Sequence, residues 1–134
     1  MISHGRVTRW QALIRMYSEL FPKQAAAEPQ LITEAVTDHT SFVLAGERQG
    51  QLLLVGGVSV RMPEMHDIAV IEYIGTRFQR SGYGRRLLDA VCDHLRSVQR
   101  SNTPLYVYAD LRAVAFFLSN GAHASSPPFA EDLK

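Results

Sequence analysis

Cysteine is almost missing from this chain: Cys92 stands alone. One cysteine excludes an internal disulfide and any cysteine-based metal cluster, and it favours an intracellular, cytoplasmic setting, with a nuclear one left open. Long apolar runs are missing too. The two longest, Leu52 to Val58 and Ile68 to Ile74, fall far short of the roughly 20 residues that span a bilayer, so no membrane partner is expected. The first residues carry Arg6, Arg9, Trp10 and Arg15 with no uninterrupted apolar core, which does not read as a secretory signal. There is no excess of charge of either sign. A net charge of +1 argues against bulk binding to nucleic acid. His4, His39, His66, His94 and His123 are scattered without ligand spacing, so no metal site is expected. Repeats, low-complexity tracts and linkers are also lacking, and residues 1–134 read as one domain.

What is present is an ordered series of periodic segments. Trp10, Leu13, Ile14, Tyr17 and Leu20 recur at helical spacing between Thr8 and Phe21, and Pro22 stops the run. Ala25 to Ala27 and then Pro29 to Val36 suggest a second short helix. Ser41 to Gly46 reads as a strand, residues 47–50 as a hairpin turn, and Gln51 to Met62 as a β-rich run. Gly56-Gly57 inside that run marks a bulge or a close backbone approach. Ile68 to Ile74 is the next strand, with Glu72 its one charge. Leu87, Leu88, Val91, Leu95 and Val98 then make an apolar helical stripe, on which Cys92 is expected to be buried. Leu105 to Ala109 is a further strand, and Asp110 is a natural N-cap for a helix from Leu111 to Asn120. The fold class is α+β: a twisted, mostly antiparallel mixed sheet flanked by helices. The right-handed crossover rule makes the 68–74 and 105–109 strands its one parallel pair.

Between the 68–74 strand and the following helix lies Gln79-Arg80-Ser81-Gly82-Tyr83-Gly84. Strand, glycine turn and helix in that order build an anion site, because glycines let backbone N–H groups turn inward and the helix N-terminus adds positive potential. Arg77, Arg80, Arg85 and Arg86 around the turn suit a phosphate ligand, although a solvated helix start has the same composition. No Gly-Lys-Ser/Thr follows, which argues against a nucleotide-hydrolysing P-loop.

With these elements in place, the sequence resembles the GNAT superfamily of acyl-CoA-dependent N-acetyltransferases. Gln79, Gly82 and Gly84 supply that family's turn signature, with Ile74 and Thr76 at the positions ahead of it. The run Tyr108-Ala109-Asp110-Leu111-Arg112-Ala113-Val114-Ala115-Phe116-Phe117, closed by Gly121, is similar to the PCAF-type histone/lysine acetyltransferases, as is Gly56 to Met62. The likeness covers residues 41–122. It implies acetyl-CoA as co-substrate, with Gln79, Arg80, Ser81, Gly82, Tyr83, Gly84 and Arg85 around its pyrophosphate. Tyr73 and Ile74 would lie beside the pantetheine, and Arg112 and Phe117 along the cofactor. Arg112 stands where the branch has an aromatic. Phe117 stands where many members have the tyrosine that protonates the leaving thiolate, and it cannot donate a proton.

Counting back from Gly82, the branch's catalytic glutamate falls on Ile68, and Glu72 lies on the same face four residues, roughly 13 Å, nearer the turn. Glu72 is the candidate general base, and an ion pair with an arginine such as Arg61 is the equal alternative. The resemblance implies transfer of acetyl from acetyl-CoA to a primary amine, a protein lysine or a small amine such as a polyamine or aminoglycoside. A non-catalytic acyl-CoA-binding module is the reading from another class. After Gly121 only 13 residues remain, interrupted by Pro127-Pro128. One strand near residues 122–126 is expected there, and the edge left open favours a homodimer or a bound peptide over a bare monomer.

Overall fold

The computed structural model describes residues 2–63, 67–78, 82–98, 103–107 and 111–122. Three helices come first: α1 (Ile2–Leu20), α2 (Pro22–Ala27) and α3 (Pro29–Thr37). Proline at the start of both α2 and α3 sets the break between them, since Pro costs nothing in a first turn and cannot continue a helix. The expected single short helix is therefore two. Strands β1 (Thr40–Arg48), β2 (Gln51–Arg61) and β3 (Ala69–Thr76) follow, then α4 (Tyr83–Ser97), β4 (Leu105–Val107) and α5 (Leu111–Ser119).

The sheet order is β1-β2-β3-β4, with β1/β2 and β2/β3 antiparallel and β3/β4 parallel, as connectivity required. Gln49 and Gly50 turn the β1–β2 hairpin, both at positive φ, which matches the twist of the flanking strands. Two bulges shape the sheet. In β2 the register passes from Leu44↔Gly56 to Ala45↔Leu54, so Val55 is extra. In β3 it passes from Ser59↔Tyr73 to Val60↔Ile71, so Glu72 is extra. An extra residue shifts every later side chain to the other face. Thus Ile71 and Ile74 both meet the α4 side, while Tyr73 turns to α1.

The sheet separates two cores. On one face Val58, Val60, Ala69 and Ile71 pack with Leu87, Val91 and Leu95 of α4 and Phe117 of α5. On the other, Leu13, Met16 and Tyr17 of α1 pack with Ile32 and Val36 of α3 and Leu54. Gly57 is where α1 crosses closest: a Cβ there would stand 2.3 Å from Leu13 Cδ1. A polar thread crosses this second core. Tyr17 Oη bonds Ser59 Oγ at 2.9 Å, Ser59 Oγ bonds Ser41 Oγ at 2.7 Å, and Ser41 Oγ donates to the Ala35 carbonyl at 3.5 Å.

Cys92 is exposed, contrary to expectation, because the buried positions of α4 step by four from Leu87 to Val91 to Leu95 and leave residue 92 outside that line. Tyr108, Ala109, Asp110 and the tail beyond residue 122 lie outside the described residues, and with them the expected last strand and the open-edge argument for a homodimer. Among the described residues no helix is long and apolar enough to cross a membrane.

Candidate functional site

The parallel pair is short. Described pairing runs from Ala69↔Leu105 to Ile71↔Val107, yet β3 continues to Thr76. Residues 73–76 pair with β2 on one side and have no described strand on the other. Residues 108–110, which continue the chain from β4, lie outside the described ones. Tyr73 and Ile74 are on the 73–76 stretch.

At its end the chain turns tightly. Thr76 Oγ1 donates to the Phe78 carbonyl at 3.0 Å, and Arg77 N–H donates to the Val55 carbonyl at 2.8 Å. Gly82 is the N-cap of α4, at φ 80° and ψ 0°, and no side chain caps the helix. The first bond within α4 is from Arg86 N–H to the Gly82 carbonyl at 3.2 Å, which leaves the N–H groups of Gly84 and Arg85 directed out of the helix end. The first turn holds no acidic residue and carries Arg85 and Arg86, so its charge suits an anion. Gly84 is small for a second reason. A Cβ there would lie 2.8 Å from the Phe116 ring, which packs across the helix start. Gln79, Arg80 and Ser81 lie outside the described residues, as does the side chain of Arg112.

Arg85 and Phe117 of the expected cofactor set, and Arg77 beside the turn, have described neighbours within the fold. Arg77 pairs with Glu19 at 2.6 Å and donates to the Leu54 carbonyl at 3.1 Å, so it ties β3 to α1 and β2. Arg85 spans from Asp89, at 3.3 Å, to Asn120 Oδ1, at 3.2 Å, joining the start of α4 to the end of α5. Phe117 is buried in the α4-side core, 7% exposed, and its neighbour Phe116 is the ring beside the turn.

Glu72 projects into a cleft of about 410 Å³ on the α1–α3 side of the sheet. Its walls are Gln24 of α2, Leu31, Glu34 and Ala35 of α3, His39, Arg61 of β2 and Val70 to Tyr73 of β3. Glu72 Oε1 accepts from Arg61 Nε, with the two side chains 29% and 24% exposed. The ion pair considered as the alternative role of Glu72 is therefore present, and it lies inside a ligand-sized cleft. Tyr73 stacks with Tyr17 and Phe21 at centroid distances of 5.2 and 5.4 Å. Its phenol is pushed above the ordinary range, first by partial burial and then by the negative charges of Glu72 and Glu28. Tyr17 is pushed up further by burial, which outweighs its bond to Ser59. Asp67, the other carboxylate near β3, accepts from Thr103 Oγ1 at 3.0 Å at the opposite end of the strand. The reading of the residues alone missed the α2–α3 wall. Its signal was the Leu31, Glu34 and Ala35 spacing beside the buried Ile32 and Val36, a second face on a short amphipathic helix. Among the described residues no group of His, Cys, Asp or Glu could hold a metal ion.

A parallel strand pair joined through a glycine-started helix with no side-chain cap is the layout of an acyl-CoA-dependent acetyltransferase fold. A family model described as acetyltransferase (GNAT) family matches residues 10–122, and the chain belongs to that family. Among solved structures it is similar to Tetrahymena GCN5, with TM-score 0.67 and 22% identity over 90% of this chain and 74% of that one. The catalytic domain of Tetrahymena GCN5 histone acetyltransferase in complex with coenzyme A gives TM-score 0.63 and 22% identity, covering 96% of this chain and 75% of that one. An aminoglycoside acetyltransferase, HMB0005, from an uncultured soil metagenomic sample gives 0.61 and 16%, covering 93% and 90%. No curated protein matches the sequence significantly.

Proposed function

We propose that the protein transfers the acetyl group of acetyl-CoA to a primary amine. The observation that carries this reading is the placement of two half-sites on one strand. The end of β3 leads through the glycine turn to the α4 N-terminus, and the bulged Glu72 on that strand faces the cleft. Acetyl-CoA supplies the activated thioester. The N–H groups of Gly84 and Arg85, with the turn at Gln79, Arg80, Ser81, Gly82 and Tyr83, hold its pyrophosphate. Backbone groups of Tyr73 and Ile74 align its pantetheine along the strand.

The cleft brings the amine to the other side of β3. Glu72 assists its deprotonation, directly or through a water, so that a neutral nitrogen attacks the thioester carbonyl. The C–N bond forms, the C–S bond breaks, and the thiolate leaves. Phe117 offers no proton on α5, so the thiolate takes its proton from solvent. Positioning supplies most of the acceleration, because neutral amine and thioester need little covalent help.

Acetyl-CoA turnover measured against peptides, polyamines, aminoglycosides and small amino compounds tests the reading. Steady CoA release with at least one amine is expected. CoA binding without turnover on any of them would leave a binding module in place of an enzyme.

A further inference from the structure

Glu72 holds Arg61 by one nitrogen only, Nε. Among the described residues nothing accepts from either terminal nitrogen of Arg61, and nothing donates to the second carboxylate oxygen of Glu72. A guanidinium presents its donors in a planar fork that fits a carboxylate through two parallel bonds. The floor of the cleft thus sets an open guanidinium edge directly beside an open carboxylate oxygen. An Arg–Glu pair with both outer edges vacant is complementary to one kind of small molecule, an anion and a cation a few ångströms apart.

The surrounding charges assign each end. His39 precedes Thr40, whose partner on β2 is Val60, so it stands in the register row of Arg61. Glu34 lines the α3 wall, and Glu28 at the start of α3 acts on Tyr73. Neither carboxylate has a cation partner among the described residues. The α3–β3 side therefore attracts an ammonium and repels an anion, and the nearest cation for an anion is Arg61 on β2. The amine is drawn toward Glu72 and the end of β3, where the proposed transfer takes place.

Resting on the proposed acetyl transfer, we infer that the acceptor carries a carboxylate next to its amine, as a free α-amino acid does, and that Arg61 is the residue that selects it. Arg61 binds the acceptor carboxylate through its terminal nitrogens while Glu72 keeps Nε. The adjacent amine meets the free oxygen of Glu72, gives up its proton there and forms the new C–N bond as the C–S bond breaks. A lysine side chain within a protein brings no carboxylate at that separation and leaves the fork of Arg61 empty. A cleft of about 410 Å³ is ample for a molecule of this size.

The test compares a free amino acid with its α-amide and with the corresponding decarboxylated amine, using acetyl-CoA and the full chain. In the wild type, kcat/KM for the free acid should exceed that for the amide by about tenfold or more, since one carboxylate–guanidinium fork is worth on the order of a tenfold step or two. Arg61→Gln should collapse this ratio, mainly through KM for the acid, and Arg61→Lys, which keeps the charge and loses the fork, should fall between. Thermal denaturation and CoA affinity of each variant check folding, and the lysine variant carries the test if the glutamine variant does not fold. Equal rates for acid, amide and amine in the wild type overturn the inference, as does an equal loss for all three in the variants. A wild type that acetylates only amines lacking a carboxylate overturns it and leaves the proposed function standing. A wild type that neither binds CoA nor releases it from acetyl-CoA overturns both.

Discussion

Replacing Gly82 with valine tests the anion site where the structure makes its sharpest demand. Gly82 sits at φ 80°, in the left-handed region, and a Cβ there would meet nothing within 4 Å. The cost of a side chain is thus torsional, about 1–2 kcal/mol for an L-residue and more for a branched one. Two responses are open to the chain. If the conformation holds, stability falls by about 2 kcal/mol, which for a domain of this size lowers Tm by several degrees. The branched side chain then stands where the phosphate must approach. If φ relaxes instead, the Gly82 carbonyl swings away from Arg86 N–H, now 3.2 Å distant, and the N–H groups of Gly84 and Arg85 are re-aimed. Each charge-assisted bond lost there costs about 1.5–3 kcal/mol. Both responses weaken CoA binding by at least about tenfold, at 1.4 kcal/mol per decade. Gly82→Asn should keep most of the affinity, because asparagine tolerates left-handed geometry. Titration calorimetry with CoA reads the result. Wild-type affinity in Gly82→Val would refute the site, and equal losses in the valine and asparagine variants would refute the torsional argument.

Glu72→Gln should lower kcat by about 100-fold, within the span usual for a general base, mainly below the pH at which the amine is already neutral. CoA affinity measured by calorimetry should stay intact, and an unchanged pH–rate profile would leave Glu72 with only its structural role toward Arg61. Alkaline stability should be limited by Tyr17 and Tyr73. Both phenols are raised above the ordinary 10.0 when folded, so the unfolded chain loses protons first. The folded state therefore keeps full stability below about pH 10 and loses up to about 1.4 kcal/mol per pH unit per phenol above it. Urea denaturation from pH 8 to 11 should show this slope, and Tyr17→Phe should reduce it; an identical slope in the variant would count against burial of that phenol.

The parts of this fold legible in the sequence are those fixed by local or connectivity constraints. Gly82 could be placed because the turn needs a backbone geometry that glycine alone adopts freely. The parallel β3–β4 pair followed from the handedness of a strand–helix–strand unit. Glu72 was visible as the single charge in an apolar strand, and an ion pair with an arginine such as Arg61 stood beside the general-base role as an equal alternative. What escaped reading depends on packing at a distance. Phe116 and Phe117 are adjacent on α5, about 100° apart around the helix, and only the position of α4 decides which ring enters the core. Cys92 misses the buried line of α4 by the same kind of phase difference. The α2–α3 wall was missed because Gln24, Glu34 and His39 form no motif in the chain; they meet only when α3 packs over β1 and β2. The bulge at Glu72 was hidden too, since an added residue in one strand shows only against its partner.

The two cores separated by the sheet bear on how such a protein can change. The face bearing α4 and α5 supports the turn, and the face bearing α1 to α3 supports the cleft. They share little besides the strands between them. Substitutions in Leu31, Glu34 or His39 can reshape one pocket while Gly82, Gly84 and Phe116 keep the other unchanged. The hydroxyl thread from Tyr17 to the Ala35 carbonyl marks the limit of that freedom, because it fixes the height of α3 above the sheet. A lineage built on this plan could reshape the cleft by altering the α3 wall, and would have to keep the serines beneath it.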